Sequence, residues 1–233
     1  MTDLHTHILP GMDDGAVSPE MSLAMLRMER EQQVGTVAVT PHCVLSREQP
    51  EEFLKRRARS WDILRKTVEQ SGEPVPEIRL GAEVAWQTVM PGIRDLERLC
   101  YENTGYILLE PPAGRWSPRL LHDLWSFRQG TGLVPVIAHL DRYLPYQERG
   151  CIRELLAMEF PLQFSAHSLF RFFLRRNVLR VIPSCQLPML ISDCHNLTSR
   201  PPDLRMGLNA CAAHLETWQV ARLAEASDAI FKK

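Results

Sequence analysis

Short apolar runs alternate along the chain with longer segments whose apolar residues recur every three to four positions. Thr36 to Thr40 is β-branched and apolar and predicts a strand. Further strands are expected near 77–82, 105–109, 133–138, 161–165 and 187–192. The runs Tyr106 to Leu109 and Leu187 to Ser192 are apolar throughout, as strands buried on both faces should be. Between them, Ser18-Pro19-Glu20 supplies a capping residue, a proline for the first helical turn and an acid near the positive helix end. A helix is therefore expected to about Gln33, ended by Gly35. The next, from about Glu51 to Gln70, places Leu54, Ala58, Trp61, Leu64 and Val68 on one face before Gly72 stops it. Helices are also expected at about 91–99, 117–129, 145–158 and 168–182, with a helical tail from about Asp203.

Alternating strands and helices imply a parallel sheet with right-handed crossovers. With the strand at the start of the chain the count reaches about seven, which favours a short α/β barrel over an open doubly wound sheet. The 233 residues suit one domain spanning 1–233.

Composition narrows the partners. With 27 Lys and Arg against 28 Asp and Glu the formal net charge is -1, so no overall field favours nucleic acid or an anionic membrane. The local clusters Lys55-Arg56-Arg57 and Arg175-Arg176 read as solvated helix faces. The six cysteines contain no Cys-x-x-Cys pair and no hydrophobic signal segment precedes Asp3, so a cytoplasmic protein with reduced thiols is expected. No run of about 18 apolar residues exists, and membrane insertion is not expected. An oligomer remains open.

The strand ends carry the chemistry. His5 and His7 follow the chain start, with Asp13 and Asp14 just beyond. His42 ends Thr-Val-Ala-Val-Thr-Pro-His, Glu83 ends Ile-Arg-Leu-Gly-Ala-Glu, and Glu110 ends Tyr-Ile-Leu-Leu-Glu. His139 ends Val-Pro-Val-Ile-Ala-His, and Asp193 with His195 ends Pro-Met-Leu-Ile-Ser-Asp-Cys-His. In a parallel barrel the C-terminal strand ends open on one face, so ligands distant in sequence converge there. Residues i and i+2 of a strand point the same way, making His5 with His7 and Asp193 with His195 two ligand claws. Any one of these histidines alone would read as a core residue; five of the eight at strand ends beside acids argue for a site.

Such a nitrogen and oxygen donor set suits Mn, Fe, Zn or Mg rather than a closed structural zinc. Glu83 and Glu110 are placed to bridge metals or to bind one each. Closely spaced metals lower the pKa of a bound water and brace the oxygens of a phosphate ester, which points to hydrolysis. Alternation turns Cys194 away from its neighbours' face, toward packing. No Cys-x5-Arg cradle occurs, which disfavours a cysteine-nucleophile phosphatase. Spacing leaves Arg142 open between a phosphoryl contact and a salt bridge with Asp141 or Glu148. Arg200 and Arg205 follow the last cluster similarly, and the aromatics Trp116, Tyr143 and Phe164 near strand ends are candidates to flank a substrate ring, with packing the favoured role of each.

Together, Asp3-Leu4-His5-Thr6-His7-Ile8-Leu9-Pro10-Gly11-Met12-Asp13-Asp14-Gly15, Thr40-Pro41-His42, Gly81-Ala82-Glu83, Leu109-Glu110, Ala138-His139-Leu140-Asp141-Arg142-Tyr143 and Ser192-Asp193-Cys194-His195-Asn196 resemble the polymerase-and-histidinol-phosphatase (PHP) superfamily. More narrowly they resemble its bacterial capsule and exopolysaccharide branch of metal-dependent protein tyrosine phosphatases. The resemblance runs from residue 3 to about 207. It implies a distorted seven-stranded TIM-like α/β barrel and three divalent metals, usually manganese. It also implies the ligands His5, His7, Asp14, His42, Glu83, Glu110, His139, Asp193 and His195. Arg142 matches the family arginine for the phosphoryl group; Arg142, Asp193 and His42 are taken as catalytic, and Arg142, Arg200 and Arg205 as substrate-binding. Departures stand at Asp141, where the family usually has Glu, at His167, where it has glycine, and across 175–185.

The expectation is a cytoplasmic phosphotyrosine-protein phosphatase acting on the tail of a bacterial polysaccharide co-polymerase tyrosine kinase. Its alternatives are a small-molecule phosphoesterase like histidinol phosphatase, and a metal-stabilised regulatory module without turnover.

Overall fold

In the computed structural model, which describes residues 1–88 and 90–232, helix α1 (Pro19–Glu31) begins as its sequence dictates. The Ser18 hydroxyl accepts the Met21 amide at 3.3 Å and Pro19 occupies the first turn. It ends earlier than expected: Gln33, not Gly35, takes the left-handed conformation that stops it, at φ 64°. Helix α2 (Pro50–Ser71) ends on Gly72 at φ 64°. Its buried stripe is Phe53, Arg57, Ser60 and Leu64, with Leu54, Trp61 and Val68 flanking, while Ala58 faces solvent. Arg57 is thus no surface residue; its guanidinium donates to the carbonyls of Gly81 at 2.6 Å and Arg98 at 3.1 Å.

Nine short strands alternate with the helices: β1 (Thr2–Thr6), β2 (Thr36–Val39), β3 (His42–Cys43), β4 (Glu77–Leu80), β5 (Glu83–Ala85), β6 (Tyr106–Glu110), β7 (Val134–Ile137), β8 (Leu162–Ser165) and β9 (Pro188–Ile191). All pair in parallel, in a three-stranded sheet β1-β2-β4 and a six-stranded sheet β3-β5-β6-β7-β8-β9. Nine are described where about seven were expected, and two pairs of them are separated by only two residues. Pro41, which lacks an amide donor, separates β2 from β3, and Gly81-Ala82 separates β4 from β5. The sheets meet where Asp193 N donates to His5 O at 3.0 Å and His7 N to Cys194 O at 2.9 Å.

Both faces of the inner strands β6 to β9 are largely buried, which is why their sequences run mostly apolar, whereas β4 (Glu77–Leu80) is only partly covered and alternates polar with apolar residues. Val37, Ile107, Leu109, Ile137 and Leu190 enter one apolar cluster, and their neighbours Ala38, Leu108, Val136 and Ile191 another. Each fully buried branched side chain contributes on the order of 2 kcal/mol. Helices α3 (Pro118–Thr131), α4 (Arg149–Ala157) and α5 (Phe172–Val181) follow β6, β7 and β8, and α6 (Leu204–Ala212) and α7 (Thr217–Ala229) complete the chain. The helix expected at 91–99 is instead two 3-10 turns, Met90–Gly92 and Leu96–Leu99. No helix among the described residues is long and apolar enough to cross a membrane.

Candidate metal centre

Every parallel strand ends on the same side, and the metal-type residues gather there. His5 lies in β1 with His7 just beyond it, and His42 of β3 pairs in register with Glu83 of β5. Glu110 closes β6, His139 follows β7, and Asp193 and His195 follow β9. Two of these positions bend the backbone into conformations a side chain resists, His139 at φ 29° and Asp193 at φ 54°. Such strain persists where surrounding structure imposes it, commonly at functional sites. Gly15 closes the loop after β1; a Cβ there would run into the His7 carbonyl oxygen, so only glycine lets the loop fold this tightly.

The floor of the site is closed to solvent: His5, His7, Glu83, His139, Asp193 and His195 are all buried. The His5 and His7 Nε2 atoms are 3.1 Å apart. Glu83 Oε2 lies 2.9 Å from His42 Nδ1, 3.2 Å from His5 Nε2 and 3.4 Å from His7 Nε2, yet makes no hydrogen bond. His139 Nε2 is 2.8 Å from Glu83 Oε1 and 3.6 Å from Glu110 Oε1. Asp14 Oδ1 faces His42 Nε2 at 3.4 Å and His195 Nε2 at 3.5 Å.

The ligand atoms fall into three overlapping groups, each within 4.8 Å of one another: His7, Asp14, His42 and His195; His5, His7 and Asp193; His42, Glu83 and Glu110. Buried polar atoms without partners are costly, and Glu83 Oε2, His139 Nδ1 and His195 Nε2 are three of them. Several imidazoles converging on carboxylate oxygens without usable hydrogen-bond geometry fit a divalent cation cluster.

The charges agree. Burial alone would raise the Glu83 pKa, but the His5 charge, the His139 hydrogen bond and the close approach of the His42 and His5 rings hold it well below the carboxylate range. Burial would lower His7, but Asp13 and Glu83 push it up to about 10. His195 goes the other way, to about 3, through burial and the charge on His7. Protons held among carboxylates in this way are what a divalent cation displaces on binding.

The whole architecture has counterparts among known proteins. The family model for capsular polysaccharide synthesis proteins, CpsB/CapC, matches residues 1–229. The chain belongs to the CpsB/CapC family. It is 29% identical to the tyrosine-protein phosphatase YwqE of Bacillus subtilis, over 86% of this chain and 79% of that protein. It is equally 29% identical to the tyrosine-protein phosphatase CpsB of Streptococcus pneumoniae, over 91% and 90%. A crystal structure from work on these two proteins, described there as metal-dependent tyrosine phosphatases, superposes with a TM-score of 0.80 at 26% identity, covering 99% of this chain and 94% of the other.

Around the cluster of this family member lies a ring of orienting groups that the sequence reading did not assign. Asp13 Oδ2 accepts from His7 Nδ1 at 2.7 Å and from the His42 amide at 2.9 Å, and Oδ1 accepts the Gly15 amide at 3.0 Å. Gln163 Oε1 is 2.9 Å from His5 Nδ1, and its Nε2 donates at 3.0 Å to the Tyr101 hydroxyl, which donates to Leu4 O at 2.9 Å. Gln163 and Asp13 thereby leave the Nε2 lone pairs of His5 and His7 facing the cluster. The available signal for Gln163 was a lone amide between Leu162 and Phe164 in an apolar strand.

The mouth is formed by the less buried groups. His42, the most exposed of the five imidazoles at 31%, stands there with Asp14 and Glu110. The 3-10 turn Leu140–Arg142 carries Arg142 back over the site, where its guanidinium pairs with Asp193 Oδ2 rather than with Asp141 or Glu148. Arg200 Nη2 reaches the same oxygen at 2.7 Å, because Asn196 Oδ1 accepts the Arg200 amide at 3.0 Å and folds the loop back. Arg205 is not brought to the mouth. It lies on α6, donating to Gln32 O at 3.2 Å and Gln33 Oε1 at 2.9 Å.

The three aromatics take the packing role favoured for them. Trp116, Tyr143 and Phe164 are buried; Tyr143 donates to Pro111 O at 2.8 Å and Trp116 to Pro112 O at 3.1 Å. Cys194 is fully buried behind the cluster, where burial and the nearby Glu29 push its thiol pKa well up.

Proposed function

We propose that this chain is a metal-dependent protein tyrosine phosphatase, a phosphoric monoester hydrolase of bacterial capsule or exopolysaccharide synthesis. The observation that carries the reading is Glu83 Oε2, buried, approached by three imidazoles and bonded by none, in a chain of the CpsB/CapC family. Its relatives carry the phosphatase name.

In this reading His5, His7, Asp14, His42, Glu83, Glu110, His139, Asp193 and His195 hold three divalent ions, with Mn²⁺ the preferred occupant. The three overlapping ligand groups support the number, and the hard oxygen and imidazole donors support the ion. When bound, such ions supply Lewis acidity to the phosphate ester and lower the pKa of an attacking water. Asp13 and Gln163 orient two of the imidazoles. Asp193 sits between the ligand set and two guanidiniums, so Arg142 and Arg200 are tethered where they meet phosphoryl oxygens. His42 faces the mouth, on the side open to the substrate's phenol.

The fold belongs to the same reading. With β2/β3 and β4/β5 each taken as one interrupted strand, seven strands close into a distorted barrel through the β1–β9 hydrogen bonds. Joining the first strand to the last supports one domain over 1–233. The substrate is a phosphotyrosine protein, the tail of a polysaccharide co-polymerase tyrosine kinase. The six free cysteines suit a cytoplasmic setting.

The test is phosphate release from phosphotyrosine and phosphoserine versions of one peptide and from histidinol phosphate. A phosphate held deep at the cluster reaches solvent more readily on a long side chain, and phenolate is the better leaving group. The phosphotyrosine peptide should give the highest kcat/KM. Equal values for the two peptides, or a strong preference for histidinol phosphate, would move the chain to the small-molecule phosphoesterases.

A further inference from the structure

A cleft of about 250 Å³ opens beside the ligand cluster and shares Asp193 with it. Its inner wall is Arg142, Asp193 and Arg200, and its outer wall is His167, Ser168 and Arg171 from the segment joining β8 to α5. The cleft is therefore continuous with the mouth of the metal-type site. Two carboxylates also line it. Asp193 is already paired with Arg142 and Arg200, and Asp141 Oδ1 accepts the Ser165 amide at 2.7 Å. Neither leaves Arg171 a paired partner.

Two independent features give this cleft a chemical character. Ser165 lines it while only 5% exposed, and its hydroxyl has no hydrogen-bond partner. A buried hydroxyl left unpaired costs free energy unless a ligand takes its proton in a hydrogen bond. The chain from Phe160 to Ser192 contains no Asp or Glu, yet carries Arg171, Arg175, Arg176 and Arg180. This local positive charge stands against a near-neutral whole. At the lip, Phe170, Phe172 and Phe173 are 48%, 64% and 81% exposed, an apolar edge beside the cations.

We propose that this cleft is a subsite for an anionic side chain of the substrate, an aspartate, glutamate or second phosphotyrosine close in sequence to the phosphotyrosine being hydrolysed. The inference rests on the phosphatase reading and adds the class of phosphopeptide preferred. Arg171 supplies charge, the His167 ring and the Ser165 hydroxyl supply hydrogen-bonding groups, and the exposed phenylalanines cover the adjoining peptide. Because Asp193 lines this cleft and also stands in the ligand cluster, the second anion sits one or two residues from the phosphotyrosine; extended chain advances about 3.3–3.6 Å per residue.

The experiment uses the metal-loaded protein and one phosphotyrosine peptide with Gln at the four flanking positions. Variants carry Glu or phosphotyrosine at -2, -1, +1 or +2. At one of these positions Glu should raise kcat/KM about fivefold, mainly through KM, and a second phosphate at least as much. Comparing the Glu and phosphotyrosine peptides distinguishes carboxylate from phosphoryl recognition. Arg171→Gln and, separately, His167→Gly should bring the ratio of acidic to neutral peptide toward one, whereas Arg176→Gln should keep it. No acidic preference at any position, or a preference intact in both variants, overturns the subsite. Binding to phosphatidylserine vesicles that depends on Arg171 and Phe173, with no peptide preference, would assign the lip to a lipid surface and also overturn it. A protein that hydrolyses none of the peptides refutes the phosphatase reading instead. The subsite is then judged by binding of the same peptides bearing a non-hydrolysable phosphonate, where equal Kd for the Glu and Gln forms overturns it.

Discussion

Replacing Asp13 with Asn changes no shape and one charge, yet should weaken metal binding strongly. All three partners of the Asp13 carboxylate are donors: the His7 ring nitrogen at 2.7 Å and the amides of His42 at 2.9 Å and Gly15 at 3.0 Å. An asparagine has one oxygen for them, so its amide group must oppose at least one donor inside a site where His7 is fully buried. A hydrogen bond to a charged group lost in such a place costs about 1.5–3 kcal/mol. Part of that falls on folding and part on the orientation of His7, for which loss of an outer partner costs about 10–100-fold in metal affinity. Titrating metal into chelator-stripped Asp13→Asn and wild-type protein by calorimetry reads this directly. Asp13 orients a ligand without being one, so activity at saturating metal should recover much of its wild-type value. A metal affinity within twofold of wild type would refute the argument.

Other substitutions separate the roles further. Arg142→Ala should leave metal content near normal and lower kcat/KM by about 2–4 kcal/mol, if its guanidinium meets developing phosphoryl charge; Arg205→Ala, which removes bonds to Gln32 and Gln33 only, should leave kcat/KM unchanged, and equal effects would contradict the placement of the two arginines. The Asp203 carboxyl is buried near Asp3 and Asp193, which pushes its pKa from 3.8 up to about 8. The folded protein therefore binds this proton where the unfolded chain has lost it, and stability falls as pH rises from about 4 to 8, by at most about 1.4 kcal/mol per pH unit. Asp203→Asn removes this dependence, so its stability relative to wild type should rise across that range in denaturant titrations; a constant difference contradicts it. Alkylation of the native protein should spare activity, since five of the six free cysteines are buried and Cys151 is only partly exposed; loss of turnover with metals retained would implicate a thiol.

The gathering of metal-type residues was legible because parallel strands make a long-range arrangement local: His42, Glu83, Glu110, His139 and Asp193 each follow a largely apolar run, and the sheet brings the runs' ends together. The orienting shell was harder to read. Asp13 and Asp14 are neighbours of identical type, and only the tight loop closed by Gly15 decides that Asp13 turns inward to His7 while Asp14 is left at the mouth. Arg57 stood in a run of three basic residues, and its burial depends on two carbonyls distant in sequence, Gly81 between β4 and β5 and Arg98 in the 3-10 turn Leu96–Leu99. Arg205 follows the last cluster at the same kind of spacing as Arg200, but the start of α6 turns it toward the end of α1. Trp116, Tyr143 and Phe164 went to packing, the role favoured for them, because proximity to a strand end does not set the direction of a ring.

The central claim is that these buried imidazoles and carboxylates hold divalent metals on which phosphotyrosine hydrolysis depends. It is tested most directly by stripping the protein with chelator, adding Mn²⁺ back stepwise, and measuring bound metal and phosphate release from a phosphotyrosine peptide in the same samples. Stripped protein should be inactive, and turnover should return as the sites fill. Full turnover without metal, or filled sites with no hydrolysis at any loading, would contradict it.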